Sequence, residues 1–173
     1  MNRRDALQTL STAVGSLVAL PTWARNWTPE ILGPVGLFTP DEEALLTSLV
    51  GTILPEGDTP GAVSLNVHRF VMRMLQDCYD APTQQAVRQG LAVMDAQARQ
   101  AFNRSFDQCD APQRLDVLNQ TANANAAADA GARQAVQLLK RLTVEGYLNS
   151  EYVLVTVKKF TLAPGFYHGC VSV

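Results

Sequence analysis

Side chains able to do chemistry are few and scattered. The 173-residue chain has two histidines, His68 and His168, and three cysteines, Cys78, Cys109 and Cys170. A histidine acts as base or metal ligand only with a suitable partner beside it. No G-x-S-x-G, G-x-G-x-x-G, P-loop or H-E-x-x-H pattern supplies one. His68 falls on a predicted helix and His168 in a turn-rich tail, so both read as structural. Glu56 and Asp58 could hold a cation with a loop carbonyl. Asp58 stands before Thr-Pro-Gly, however, and that is ordinary turn chemistry, in which the carboxylate bonds its own turn. The cysteines lack the close pairs that zinc or iron–sulfur sites require. In an oxidising compartment Cys78 and Cys109, near the ends of two predicted helices, are the expected disulfide, with Cys170 left over. Met72 and Met74, like Phe102 and Phe106, read as core. No catalytic, cofactor-binding or metal-binding residue is expected in this chain.

The elements that carry these residues read as helices. Thr39 can cap a first helix, Pro40 suits its first position, and Glu42 completes a capping box. Leu45, Leu46, Leu49, Val50, Ile53 and Leu54 then form one apolar face, and Pro55 ends it. After the loop 55–62, a second helix is expected from about Ser64 to Cys78. A third runs from about Pro82 towards Phe106, slightly weakened by Gly90. Asp110 can cap a fourth, with Leu115 and Leu118 facing inward. Residues 121–131, rich in Ala and Asn, read as a loop or frayed helix. A fifth helix spans about Ala132 to Glu145, with Gly146 as its stop. Val153 to Val157 have strand propensity, although Ser150 and Glu151 could open a short helix. Strands and helices do not alternate. The expected class is therefore all-α, a small bundle of about five to six helices with an irregular C-terminal segment.

The N-terminus carries an address. Arg3 and Arg4 are adjacent, Leu7 follows, a mild apolar stretch runs to Leu20, and Ala24 is a small residue at the expected cut. This reads as a twin-arginine export signal over residues 1–24. Competing readings are an uncleaved anchor, an ordinary N-terminal helix and a Sec signal, but the stretch is short for a membrane span. Residues 25–38 form an irregular leader and residues 39–173 one helical domain. The chain has net charge −2, 17% charged and 47% apolar residues. No basic patch stands out, so nucleic acid is not an expected partner. The high apolar fraction fits a protein that covers part of its surface with another chain.

Two segments carry a resemblance. One is Leu54-Pro55-Glu56-Gly57-Asp58-Thr59-Pro60-Gly61-Ala62, followed by His68 and Phe70. The other runs from Leu139 through Thr143, Gly146, Tyr147, Ser150 and Glu151, followed by Pro164-Gly165-Phe166-Tyr167-His168-Gly169-Cys170. With the signal, they resemble the gluconate 2-dehydrogenase subunit 3 family from about Phe38 to Cys170. That resemblance implies a non-catalytic small subunit. Its partner would be an FAD-dependent dehydrogenase large subunit of the glucose–methanol–choline type, which folds around FAD and is exported with it. A membrane-bound multihaem cytochrome c, holding haem c, would take the electrons. The location implied is periplasmic, attached to the inner membrane through the complex. Candidate interface residues are Asp58, Thr59, Pro60, Gly61, Tyr147, Glu151, Pro164, Gly165, Phe166, Tyr167 and Cys170. The bland alternative for the aromatic ones is that they close the bundle end. A stand-alone exported binding protein and a transient assembly chaperone are the rival readings of the whole chain.

Overall fold

The computed structural model describes residues 36–123 and 130–161, all within the second of two units into which the chain divides, Val35–Val173. Every regular element among them is helical. We number them α1 (Pro40–Ile53), α2 (Val67–Cys78), α3 (Ala81–Phe102), a 3-10 turn (Phe106–Gln108), α4 (Ala111–Asn123), α5 (Ala130–Leu148) and a π-helical segment (Tyr152–Val157). The all-α expectation is met.

α1 starts as its sequence dictates. The Glu42 backbone N–H donates to Thr39 Oγ1 at 3.3 Å, and the Thr39 N–H donates to Glu42 Oε2 at 2.8 Å. Glu42 also receives Arg88 Nε of α3 at 2.8 Å, so one carboxylate both caps α1 and ties it to α3. Leu46, Leu49 and Val50 face inward, and Phe38 just before the cap joins them in the core.

α2 begins at Val67, later than Ser64, because Asn66 takes φ 56° and cannot belong to a right-handed helix. The carbonyls at its far end are left without helical partners. Gln84 of α3 satisfies three of them, donating to Leu75 O, Gln76 O and Tyr79 O at 2.9–3.2 Å.

α3 stops at Phe102, before the expected Phe106, because Asn103 turns left-handed at φ 54°. The chain then folds back on α3. Asp95 receives Ser105 Oγ at 2.6 Å, the Phe106 N–H at 3.0 Å and Arg99 Nε at 2.7 Å. Those bonds drive the Phe106 ring into the core, where it is 1% exposed. Burial pushes the Asp95 carboxyl up, but the bonds from Ser105, Phe106 and Arg99 outweigh it and hold the group below its ordinary value near 3.8. A depressed folded-state value means that the stabilisation is fully present above the ordinary value. It is lost as pH falls through the folded one. Asp95→Ala is expected to cost about 2–3 kcal/mol at neutral pH, since it removes bonds to a mostly buried charge. Urea unfolding at pH 7 and pH 3 checks it, and the penalty should shrink at the lower pH.

α5 is the hub: it packs on α1, α2, α3 and α4, most extensively on α3. Its inner face is Ala132, Ala135, Val136, Leu139, Leu142, Thr143 and Gly146. Small residues set the closest approaches. A Cβ on Gly90 would lie 2.5 Å from Ala135 Cβ, so this glycine lets α3 and α5 touch.

Three local expectations are corrected, and two that the sequence left open are settled. Gly146 does not stop α5, which runs on to Leu148; the glycine is buried because its neighbours leave no room for a side chain. Leu115 is 49% exposed while Val117 and Leu118 are buried, so the inner face of α4 is rotated from the expected one. Residues 121–123 and 130–131 are helical, ending α4 and starting α5, with Thr121 anchored to Gln97 at 2.6 Å; residues 124–129 lie outside the described set. The Cys78–Cys109 disulfide is not formed. Cys78 ends α2 exposed to water, whereas the Cys109 side chain is turned into the core, and both thiols are free. The Val153–Val157 stretch is part of the π-helical segment, closed by Lys158 N donating to Val153 O at 2.8 Å.

A candidate partner interface at one end of the bundle

The described parts of the two segments that carry the family resemblance meet at one end of the bundle. The connection between α1 and α2 is a built loop. The Glu56 carboxylate folds over it, accepting the Gly61 N–H at 2.7 Å, the Ser64 hydroxyl at 2.8 Å and the Ser64 N–H at 3.4 Å. The Gly61 bond, then that of the Ser64 hydroxyl, hold the Glu56 carboxyl below its usual value. Gly61 is required here, since a Cβ would lie 2.7 Å from both the Glu56 backbone nitrogen and its carboxylate. Within the turn, Gly57 N donates to Thr59 O at 3.2 Å. Ala62 is fully buried and fastens the loop to the core.

Tyr147 closes the end. Its hydroxyl donates to Pro60 O at 3.1 Å, across 87 residues of sequence, and its half-buried ring packs against the core. One turn away, Ser150 Oγ donates to Tyr147 O at 2.7 Å. A cleft of about 450 Å³ lies beside the loop, lined by Ser64, Asn66, Glu151, Tyr152 and Val155, among others.

The structure thus joins Pro60, Gly61 and Tyr147 in one constellation. Asp58, Thr59 and Glu151 are exposed around it. Pro164, Gly165, Phe166, Tyr167 and Cys170 lie outside the described residues, as do Arg3, Arg4, Leu7 and Ala24 of the signal. Glu56, the residue that holds the loop, reads in sequence only as a loop acid that could join Asp58 on a cation. Only the fold shows its acceptors' use, because Ser64 is eight residues away.

His68 sits on α2 half-buried, with Nδ1 buried and without a hydrogen-bond partner among the described residues. Burial, then the charge of Arg69, push its pKa down, against a weaker pull from Glu43. Both effects favour the neutral imidazole. Among the described residues no group of three or more His, Cys, Asp or Glu side chains could hold a metal ion. Nor is any helix among them long and apolar enough to cross a membrane.

Several large apolar side chains stay in water near the chain's C-terminal end. Val144 and Leu148 on α5 are 38% and 44% exposed, and Val155, Val157 and Phe160 beyond it are 57–60% exposed. Such surface suits contact with another molecule.

An all-α bundle with a stapled end loop and exposed apolar side chains defines the class. The chain matches the family model of gluconate 2-dehydrogenase subunit 3 over residues 40–165, more than two thirds of its length, and belongs to that family. No curated protein and no solved structure matches it.

Proposed function

We propose that this chain is the non-catalytic small subunit of an FAD-dependent dehydrogenase complex. It binds and stabilises the flavoprotein large subunit and carries it through twin-arginine export to the periplasm. The carrying observation is membership of the subunit 3 family over residues 40–165, which takes in the whole described bundle from α1 onward. The surface supports the same reading. The stapled loop presents Asp58 and Thr59 in a defined conformation, and Glu151 stands beside it. A preorganised surface binds with less ordering cost than a mobile one.

In this reading FAD resides in the large subunit, of the glucose–methanol–choline type, and haem c in a membrane-bound cytochrome that would hold the complex at the inner membrane. The substrate is set by the large subunit. This chain contributes surface and the export address, Arg3 and Arg4.

The test is purification of the tagged chain from its own periplasm, with mass spectrometry and a flavin absorbance spectrum. Co-purification of a yellow flavoprotein is expected. A stable colourless monomer would instead establish a stand-alone binding protein, and absence from the purified active enzyme would establish a chaperone. Arg3→Lys together with Arg4→Lys should cut periplasmic dehydrogenase activity at least about tenfold while cytoplasmic activity rises, since the paired arginines are the export address. Unchanged periplasmic activity in that variant would refute the carrier role.

A further inference from the structure

We infer that the outward face of α5, from Gln137 to Asn149, docks an amphipathic helix of the flavoprotein whose flanks are acidic. This deepens the small-subunit reading and rests on it. The exposed residues Gln137, Arg141, Val144 and Leu148 recur at spacings of four, three and four. That is the a/d spacing of a helix–helix seam, in which knobs of one helix enter holes of the other. Val144 and Leu148 supply the apolar centre of the row, and they line a groove of about 530 Å³ with Lys140, Arg141 and Asn149. The opposite face of α5 is already taken by α1 to α4. Among the described residues, the outer face keeps two aliphatic side chains, Val144 and Leu148, in water.

Charge selects the occupant. Of the charged side chains lining the groove, Lys140 and Arg141 are basic and Glu145 alone is acidic. A helix flanked by Glu or Asp complements that surface, and a basic one is repelled.

The experiment uses the full chain in its own cells. A photo-reactive benzoylphenylalanine replaces Leu148, or Val93 on α3 as the control. Val93 is 36% exposed and belongs to a different helix. Irradiation of the purified complex is expected to join position 148 to an acidic helical peptide of the flavoprotein, and to leave position 93 without that adduct. In parallel, Val144→Glu with Leu148→Glu should lower the flavin retained by the tagged chain at least about tenfold, the size of loss seen when central interface anchors are removed. Both sites are exposed, so helical circular dichroism and the melting temperature should be unchanged. Lys140→Glu should lower retention by about fivefold at low salt and by less at about 0.5 M salt, where screening is strong. A lipid adduct at position 148, an adduct to a basic or non-helical peptide, or undiminished flavin with the double variant would each overturn the inference. If the wild-type chain retains flavin and the double variant does too, only this inference falls. If the wild-type chain retains none, the small-subunit reading falls with it.

Discussion

Phe106→Ala is expected to cost about 4 kcal/mol, the largest loss from truncating any one side chain of the bundle. Phe106 is the bulkiest of the fully buried side chains and is 1% exposed. It enters the core from a 3-10 turn of only three residues, so its ring, more than its backbone, secures the return of the chain after α3. The turn packs on both α1 and α3. Truncation would open a cavity between them, and a short turn held by Asp95 can collapse only partly to fill it. Urea denaturation should show a lower midpoint with an unchanged slope. A change below about 1 kcal/mol would mean that the turn relaxes into the void.

Gly146→Leu is expected to cost about 3 kcal/mol and to weaken flavoprotein binding as well. A single Cβ at position 146 would lie 2.5 Å from Phe70 Cδ1 and 3.0 Å from Val67 Cγ1. Phe70 and Val67 belong to α2, so the added side chain must push α5 away from α2. The tie from Tyr147 to Pro60, one residue on, would be strained with it. Gly146→Ala sets two effects against each other. Alanine gains up to about 1 kcal/mol of helix propensity, but a ring carbon at 2.5 Å is not the free end of a flexible chain. We expect a net loss for alanine too, smaller than for leucine. The readouts are the unfolding midpoint and the flavin retained by the tagged chain. Wild-type stability in the leucine variant would show that α2 shifts freely at this contact.

Local chemistry made much of the fold legible. The Thr39–Glu42 capping box and Pro40 placed the start of α1 to the residue, because every partner lies within four positions. Apolar periodicity identified the inner face of α1. It misassigned Leu115, because α4 is short and its apolar residues are too few to define one face; Val117 and Leu118 are the pair that the core accepts. Asn103 and Asn66 ended or delayed helices that periodicity alone would have extended, since only the φ angle shows the left-handed turn.

The candidate site was legible as two motifs and not as one place. The DTPGA loop and the Tyr147 helix end stood apart in sequence, and their meeting is a hydrogen bond across 87 residues. Glu56 was visible as an acid in a loop; its work as the loop's staple depends on where Gly61 and Ser64 come to rest.

By itself the sequence determined the helical class, the cap of α1, the loop between α1 and α2 and the family, because these follow from short-range bonding and from composition along the chain. The tertiary structure decided which glycines are structural, which leucine faces water, that Cys78 and Cys109 stay unpaired, and which face of α5 turns into the bundle. The physical reason is that each of these depends on how closely two helices distant in sequence approach. That distance is set by the side chains of both, and no window along one of them contains it.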